Sequence, residues 1–451
     1  MNIHEKVDQY VEDGLFLLSK LISYQTVLDR FNPDSPTPFG KENAQALKFF
    51  LTYAKQDGFS CFNCDSYAGH IEFGDGEETL GILAHMDVVP VSEEEWESNP
   101  FVLSIRDHKL YGRGVADDKG PLVATYMAMK LLKDAGFEPK KKVRLIVGCD
   151  EESGSRCLKH YFQTQPLPQL GFSPDADFPL IYGEKAHFCY DLKGRLQDEE
   201  IIVTFHCGDR YNVVPSTAQM RLSIDLEEAY RHFLKENGYN GTVKDGVYTA
   251  YGIASHAMIP QNGLNAAFIL FAFLNAVHPT PLSEFFVNYL TFDPFGKKMG
   301  YAMSDPKMKE LTSNVGVVHI ADRNIKIGVD CRVPKEDCLE ELKAAIDRSC
   351  AASGFLESEI LDFSGYHYVD PNGSLVQTLM NVYQEVTHDF SSQPMTIGGG
   401  TYAKFLTNGV AFGPKLPERE DVCHIANEYM YLDDFRQEIE LYAKAIYELT
   451  K

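Results

Sequence analysis

The spacing of apolar residues in the first part of the chain alternates between a helical and a strand-like pattern. Residues 5–23 and 122–135 repeat their apolar positions with the period of an amphipathic helix. Residues 80–84 and 143–149 are short apolar runs, typical of strands that are buried on both faces. Because helices and buried strands alternate, we expect an α/β fold built on a layered sheet.

The middle of the chain follows a different pattern. Residues 200–206 and 218–225 alternate apolar and polar positions, as half-buried strands do. Helical patterns follow at 265–277 and 335–352, which favours a separate α+β domain. Near the C-terminal end, a helix and a buried strand return to the first pattern. The sequence therefore predicts a domain inserted into another, with the outer domain at 1–183 and 369–451 and the inserted domain at 184–368.

The charge balance narrows the classes of partner. The chain has 42 Lys and Arg against 65 Asp and Glu, a net charge of -23. An acidic surface repels nucleic acid and anionic membranes, so neither is an expected partner. The N-terminal segment lacks the basic stretch and apolar run of an export signal, and no apolar stretch is long enough to span a bilayer. We expect a cytoplasmic protein with reduced cysteines, in which Cys61 and Cys64 form an isolated CxxC pair.

The first candidate site follows the apolar run at 80–84. His85 and Asp87 come directly after this run, and open α/β sheets bind ligands at the carboxyl ends of their strands. His85 could present one ring nitrogen to a metal, while Asp87 holds the other nitrogen. A histidine that is hydrogen-bonded within a loop is the alternative, and the spacing alone leaves it open.

Two acidic clusters also follow the predicted pattern of strands and helices. Glycines flank Asp117 and Asp118 just before a predicted helix, which is typical of a tight strand-to-helix turn, although Asp118 could simply be the N-cap. Glu151 and Glu152 follow the second buried strand. One of these glutamates could bind a metal while the other takes a proton from water. A solvated acidic turn is the alternative for this pair.

Taken in order, these clusters resemble the motifs of the M20 metallopeptidase family. The matching segments extend from residue 80 to residue 424 and read LAHMDVVP, WESNPF, GRGVADDKGP, DEESGS, SPDADFP, NVVPSTA, ASHAMIPQNGLNA and GGGTYAK. The segment SPDADFPLIYGEK and the long middle insertion look most like the branch of dipeptidase V and the carnosinases, which is Xaa-His dipeptidase-like. The resemblance implies a zinc-peptidase-like, three-layer α/β/α catalytic domain with an inserted α+β lid domain.

The resemblance also implies a centre of two divalent metal ions. It assigns His85 and Asp175 to the first ion. It assigns Glu152 and His424 to the second ion. Asp117 would bridge both ions, in a turn where the peptide bond that follows this residue is often cis in the family. Three carboxylates and a bridging hydroxide would balance the four positive charges. One imidazole and two carboxylates per ion suit zinc, and also manganese or cobalt.

The catalytic roles follow from the same resemblance. Glu151 would act as the general base that activates the metal-bridging hydroxide, and Asp87 would orient His85. His256 would donate a hydrogen bond to the developing oxyanion once the lid domain closes. Asn212 would line the same site. Because one chain supplies the lid histidine in the branch with a long insertion, we expect a monomer.

Substrate binding is assigned to a second group of residues. Arg332 would grip the carboxylate of a small peptide, because a guanidinium fork suits a carboxylate. A surface charge on a strand is the alternative for this arginine. Gly399, Gly400 and Thr401 would approach the same carboxylate by backbone and hydroxyl. The sequence assigns no role to His187.

Three functions are compatible with these assignments. The first is a metal-dependent dipeptidase, and the second is an N-acyl amino-acid amidohydrolase of the same fold, related to aminoacylases and desuccinylases. The third is a catalytically inactive binding protein. The presence of Glu151 and of all five implied ligands argues against the third. Cleavage of a free-amine dipeptide, but not of its N-acetylated form, would separate the first function from the second.

Overall fold

The computed structural model describes residues 2–451. Ten α-helices lie within these residues, and most of them bury one apolar stripe against a sheet or a neighbouring helix. The helices are α1 (Asp8–Ile22), α2 (Lys41–Gln56), α3 (Lys119–Asp134), α4 (Arg156–Tyr161), α5 (Glu227–Asn237), α6 (Ala266–Val277), α7 (Pro281–Tyr289), α8 (Leu339–Ser353), α9 (Ser374–Thr387) and α10 (Leu432–Thr450).

Strands form the other regular elements of the described chain. In chain order they are β1 (Ser60–Cys64), β2 (Ala68–Phe73), β3 (Thr79–His85), β4 (Ser104–Arg106), β5 (Lys109–Tyr111), β6 (Lys142–Gly148), β7 (Leu170–Ser173), β8 (Ala176–Asp177), β9 (Ile181–Glu184), β10 (Ala186–Arg195), β11 (Ile202–Cys207), β12 (Val213–Val214), β13 (Thr217–Leu222), β14 (Asn240–Lys244), β15 (Val247–Tyr251), β16 (Ser255–His256), β17 (Ser304–Asp305), β18 (Lys309–Glu310), β19 (Thr312–Ala321), β20 (Asn324–Val333), β21 (Leu356–Ser364), β22 (His367–Tyr368), β23 (Met395–Ile397), β24 (Gly409–Ala411), β25 (Pro414–Lys415) and β26 (Tyr429–Tyr431).

The chain divides into two compact units. Unit 1 comprises Met1–Tyr182, Tyr368–Met395 and Thr401–Lys451, and unit 2 comprises Gly183–His367 and Thr396–Gly400. Each unit has its own cluster of buried apolar residues. The assignment of a catalytic role to one part and a lid role to the other stays a prediction.

The sheet of unit 1 contains the parallel strands that the buried apolar runs predict. Its strands follow the order β1-β2-β6-β3-β7-β24-β9. Strands β6, β3, β7 and β24 are mutually parallel, whereas β1, β2 and β9 run antiparallel to their neighbours. Strand β3 is buried at every position, because helices or loops cover both of its faces. The carboxyl ends of the parallel strands therefore meet at one edge.

Side chains from different elements cover the two faces of this sheet. On one face, the Cα atoms of Gly148 and Gly171 lie against the side chains of Tyr402 and Leu406, respectively. On the other face, Phe172 stacks on Tyr442 of α10, with ring centroids 5.9 Å apart. Helix α3 also packs against α10 on this side. This confirms the predicted α/β fold, with three layers in unit 1.

Unit 2 contains an antiparallel sheet with helices packed against it. The strand order is β14-β15-β13-β11-β19-β20-β10-β21. Burial alternates along β13, so that one face is covered and the other faces solvent. Helix α6 packs against β13 and β15, and α8 packs against β21. This arrangement confirms the predicted α+β character of the middle of the chain. Within residues 2–451, no helix combines the length and the apolar character needed to cross a membrane.

Candidate metal centre and catalytic residues

Three neighbouring parallel strands of unit 1 bring the predicted residues to one edge of the sheet. His85 is the last residue of β3. Glu151 and Glu152 follow the end of β6, and Asp175 follows the end of β7. Strand β3 pairs with β6 on one side and with β7 on the other. Residues that lie far apart in sequence therefore converge at the edge where α/β sheets bind ligands.

The carboxylate of Asp117 lies between two imidazoles. Its Oδ1 is 2.9 Å from His85 Nε2, and its Oδ2 is 2.9 Å from His424 Nε2. Asp117 reaches this position from the loop before α3, and the peptide bond from Asp117 to Asp118 is cis. A carboxylate with one imidazole on each oxygen has the geometry needed to bridge two cations.

Further carboxylates stand beside each imidazole. Asp175 Oδ2 is 3.7 Å from His85 Nε2, and Glu152 Oε1 is 3.1 Å from His424 Nε2. Ligand atoms of His85, Asp117 and Glu152 lie within 4.8 Å of one another. A second set with the same spacing is formed by His85, Glu151 and Asp175. All six of these side chains therefore belong to one cluster.

Asp87 supports the cluster in a different way from the one its spacing predicts. The nearest contact of His85 Nδ1 is the main-chain carbonyl of Asp87, at 3.0 Å, whereas the Asp87 carboxylate is 3.6 Å away. That carboxylate accepts hydrogen bonds from the backbone N–H groups of Glu151 and Glu152, at 3.0 and 3.1 Å. A carbonyl that faces Nδ1 can only accept, so Nδ1 carries a proton, and Nε2, which faces the Asp117 carboxylate, is the nitrogen available to bind a metal.

Asp118 has a structural role beyond starting a helix. It occupies the N-cap position of α3, but its side chain makes no capping hydrogen bond. Instead, Asp118 Oδ2 accepts the backbone N–H of His85 at 2.9 Å, and the side chain is fully buried. Asp118 therefore has the N-cap position, as the alternative predicts, but its side chain does not cap the helix. The side chain instead joins the Asp117 loop to the end of β3.

Glu428 holds the Asp117 loop, a role that the sequence does not assign to it. Its side chain is completely buried and forms an ion pair with Arg113, with Nη1 and Oε2 2.6 Å apart. Its carboxylate also accepts the backbone N–H groups of Gly114, Ala116 and Asp117 at 2.8 to 3.3 Å. Gly114 has a φ of 92°, a conformation that favours glycine. Because more than 300 residues separate the partners, no local spacing could have indicated this anchor.

The electrostatics of the cluster favour a cation. Burial raises the pKa of the Glu151 carboxyl well above its usual value, and the charge of Asp175 raises it further. Burial also raises the pKa of Glu152 to about 7, with a smaller contribution from the charge of Asp117. Both shifts reflect crowded negative charge in a poorly solvated place. A divalent ion would stabilise the ionised carboxylates, and the mixture of imidazole and carboxylate donors suits zinc, manganese or cobalt.

Two of the predicted catalytic and binding residues occupy a short ribbon of unit 2. His256 lies in β16, opposite Val213 of β12, and the carbonyl of the preceding Asn212 accepts the N–H of Ala257 at 2.9 Å. The N–H of Met258 donates to His256 Nδ1 at 3.1 Å. An imidazole nitrogen that accepts a hydrogen bond carries no proton, so Nε2 of His256 is the protonated, donating nitrogen.

Arg332 is buried, which excludes the alternative of a surface charge. Its Nε and Nη2 donate to the two oxygens of Asp330 at 2.7 and 2.9 Å. Its Nη1 donates to the carbonyl of Gly398 at 3.0 Å. Gly399 and Gly400 continue the same segment of unit 2, whereas Thr401 belongs to unit 1. Thr401 begins a short 3₁₀ segment, where its hydroxyl accepts the N–H of Ala403.

A three-layer unit with a cluster of imidazoles and carboxylates at the carboxyl ends of its parallel strands has the ligand types of a metal-binding protein. The sequence profile of Peptidase family M20/M25/M40 matches residues 81–448. The chain belongs to this family and is therefore a hydrolase that acts on peptide bonds. The resemblance inferred from the motifs is confirmed.

Relatives of similar length support the same assignment. The chain is 37% identical over 465 residues to "Putative dipeptidase SH1171" of Staphylococcus haemolyticus, with 99% of this chain and 98% of the relative covered. It is 36% identical, with the same coverage, to "Putative dipeptidase SAUSA300_1697" of Staphylococcus aureus.

Solved structures show the same fold over nearly the whole chain. The di-peptidase Dug1p of Saccharomyces cerevisiae superposes with a TM-score of 0.61 at 15% identity, covering 99% of this chain and 97% of that one. Human carnosine dipeptidase 1 superposes with a TM-score of 0.58 at 15% identity, covering 99% and 98%. At this level of identity, the likeness describes the fold alone.

Proposed function

We propose that this protein is a dipeptidase that uses two divalent metal ions, with zinc the expected metal. The observation that carries the proposal is the position of the Asp117 carboxylate, which has one oxygen 2.9 Å from each of two imidazoles. The names of the relatives support the choice of a dipeptide as substrate.

The residues of unit 1 would hold the ions in two overlapping sets. His85, Asp175 and one oxygen of Asp117 would bind the first ion. Glu152, His424 and the other oxygen of Asp117 would bind the second. When bound, the two ions would lower the pKa of a water molecule and polarise the carbonyl of the scissile amide. Asp87 would keep Nε2 of His85 turned towards the first ion through the carbonyl bond at Nδ1.

Glu151 would take the proton of the attacking water and pass it to the leaving amine. Its side chain lies in the set with His85 and Asp175, and its backbone N–H is held by Asp87. Burial favours the protonated form of this carboxyl, which makes it a stronger base than an exposed glutamate. The positive charge of the bound ions would offset part of this shift, so that the pKa of Glu151 would stay low enough for the carboxyl to accept and release a proton in a neutral solution.

Residues of unit 2 would complete the reaction. The protonated Nε2 of His256 would donate a hydrogen bond to the oxyanion that forms from the scissile carbonyl. Arg332 would bind the α-carboxylate of the dipeptide, with Asn212, Gly399, Gly400 and Thr401 as further substrate-binding groups. The need for a free carboxylate would place the scissile bond next to the C-terminus of the substrate.

A metal-loading experiment combined with a substrate panel tests the proposal. The protein is treated with a chelator, reloaded with zinc, manganese or cobalt, and assayed on free-amine dipeptides, their N-acetylated forms and N-acyl amino acids. We expect two ions per chain and cleavage of the free-amine dipeptides. Cleavage of only the acylated substrates would establish the amidohydrolase function instead, and absence of all cleavage would refute both.

A matched pair of variants tests the metal centre itself. Asp175→Asn removes a proposed ligand, so we expect the metal content to fall to about one ion per chain and activity to be lost. Asp177→Asn, two residues away, removes a carboxylate that pairs with Lys415 at 3.0 Å. We expect this control to keep both ions. Equal metal contents in the two variants would contradict the assignment of Asp175.

A further inference from the structure

Three adjacent strands of unit 2 carry a row of charged side chains beside Arg332. His187 of β10 pairs in register with Arg332 of β20 and with Ser364 of β21. Asp330, two residues before Arg332, occupies the same face of the sheet because side chains alternate along a strand. Cys331, between them, points into the apolar core on the opposite face.

Asp330 fixes the direction of the Arg332 guanidinium. The two oxygens of Asp330 accept hydrogen bonds from Nε and Nη2 of Arg332 in a forked arrangement. The carbonyl of Gly398 accepts a third hydrogen bond from Nη1. The Asp330 side chain is completely buried, so water does not compete for this contact. Within the described chain, these bonds use three of the five guanidinium N–H donors of Arg332, which leaves two for a ligand. Paired, planar donors of this kind match a carboxylate.

His187 holds Asp330 from the other side. Its Nε2 is 3.1 Å from Asp330 Oδ2, and its Nδ1 is 3.0 Å from Asp362 Oδ2. Ionised carboxylates only accept hydrogen bonds, so both ring nitrogens must carry protons and the imidazole is a cation. The carboxylates raise the pKa of His187 to about 11, although burial by itself would lower it.

We propose that Asp330 and His187 are positioning residues that hold the Arg332 guanidinium in the orientation that binds the α-carboxylate of the substrate. The proposal rests on the proposed dipeptidase function. It adds to that function the residues that allow the enzyme to recognise the free C-terminal carboxylate of the substrate. Asp330 alone would neutralise Arg332 and weaken its attraction for an anion. The four charged groups are neutral overall, but the Asp362 side chain is 44% exposed and screened by water, whereas Asp330 is completely buried. The His187 cation therefore offsets the charge of Asp330 more effectively than Asp362 offsets that of His187, and the remaining Arg332 donors still attract a carboxylate.

A metal site at the same place is the competing explanation. Ligand atoms of His187, Cys189 and Asp330 lie within 4.8 Å of one another. However, Asp330 Oδ2 already receives a hydrogen bond from Arg332 Nη2 at 2.9 Å, so a metal ion would lie next to a guanidinium cation. Repulsion between these charges favours the positioning role.

Steady-state kinetics on two substrates test this role. The zinc-loaded wild type, Asp330→Asn and His187→Gln are compared on a dipeptide and on the same dipeptide with a C-terminal amide. We expect Asp330→Asn to raise KM for the dipeptide by about 10- to 100-fold and His187→Gln by about 3- to 10-fold, with kcat changed by less than about threefold. For the amide, which has no carboxylate to bind, KM should change by less than about threefold.

A control variant and a spectroscopic measurement complete the design. His319→Gln makes the same substitution at an exposed position of β19 in the same sheet, and we expect wild-type kinetics. Nitrogen-15 spectra of the histidine rings should show His187 as a cation at pH 8 in the wild type and a lower titration midpoint in Asp330→Asn. A neutral His187 in the wild type would overturn the proposal.

The kinetic outcomes separate the two levels of inference. If the wild type cleaves the dipeptide but the variants leave KM unchanged, or impair dipeptide and amide equally, the positioning role is overturned and the dipeptidase function stands. If the wild type cleaves neither dipeptides nor acylated substrates, the proposed function fails and the positioning role fails with it. A third zinc ion per chain, present in the wild type and lost in Cys189→Ser, would support the competing metal site and overturn the proposal.

Discussion

Replacement of Glu428 by alanine would remove the anchor of the loop that carries Asp117. The substitution leaves the Arg113 guanidinium buried without a counterion. It also removes the hydrogen-bond acceptor of the N–H groups of Gly114, Ala116 and Asp117. Removal of one member of a buried ion pair typically costs about 3–5 kcal/mol of unfolding free energy. For a unit of this size, that cost lowers the thermal midpoint by roughly 6–10 °C, at about 2 °C per kcal/mol.

The same change should weaken metal binding. Glu428 has no hydrogen bond to an imidazole of the cluster within the described chain, but it holds the backbone that places the carboxylate of Asp117, the proposed bridge. Groups that orient metal ligands in this indirect way typically contribute about 10- to 100-fold to metal affinity. We expect Glu428→Gln, which keeps the volume and one accepting oxygen, to give an intermediate loss of stability of about 1–3 kcal/mol.

Thermal unfolding and a zinc competition titration measure the two effects separately. Glu385→Ala serves as the control, because this glutamate is largely exposed and forms a single ion pair with Lys444 at 2.7 Å. Exposed pairs contribute at most about 1 kcal/mol, so the control should unfold within about 2 °C of the wild type. If Glu428→Ala matched the control in both stability and zinc affinity, the reasoning about the loop anchor would be refuted.

Three further predictions follow from the cluster and from unit 2. Glu151→Gln should keep both metal ions and lose about 10²- to 10⁴-fold in kcat, because the base is lost while the ligands remain. Metal analysis and kinetics on one preparation test this prediction, and full activity would contradict the role of Glu151 as the base. His256→Ala should lower kcat by about 10²- to 10³-fold with an unchanged metal content, and a loss of metal would show that the residue is misassigned. His187 has a pKa of about 11 in the folded protein against 6.5 as its ordinary value, so its contribution to stability is complete below about pH 6.5 and lost as the pH rises towards 11. The difference in unfolding free energy between the wild type and His187→Gln should therefore shrink between pH 6.5 and 10, and a difference that grows with pH would show that the imidazole is neutral.

Much of the fold could be predicted because it depends on local patterns. The apolar run at 80–84 becomes strand β3 (Thr79–His85), and the run at 143–149 becomes β6 (Lys142–Gly148). The helical spacing at 122–135 becomes α3 (Lys119–Asp134). These patterns persist because a buried strand or an amphipathic helix must place apolar side chains on the faces that leave water. The prediction for the middle of the chain succeeded for the same reason.

The candidate ligands could be named from sequence, but their partners could not. The motifs around His85, Asp117 and Glu151 each follow or precede a regular element, so their positions at the sheet edge could be inferred. His85 Nδ1 is 3.0 Å from the carbonyl of Asp87 and 3.6 Å from its carboxylate, so the choice of partner depends on a difference of 0.6 Å. The link from Asp118 to the β3 backbone joins residues 33 positions apart. Residue spacing does not resolve such differences.

By itself, the sequence determined the alternation of elements, the family and the residue types available for a metal centre, because periodicity and motifs are properties of neighbouring positions. Only the tertiary structure decided that Glu428 holds the Asp117 loop and that His187 and Asp330 surround Arg332. Except for Asp330 and Arg332, which lie two positions apart on β20, those contacts join residues on different strands or loops, and packing and burial select each partner after the chain has folded. Hydrogen bonds and ion pairs of this kind leave no periodic signal along the chain, which is why the positioning of the site could be derived only from the folded molecule.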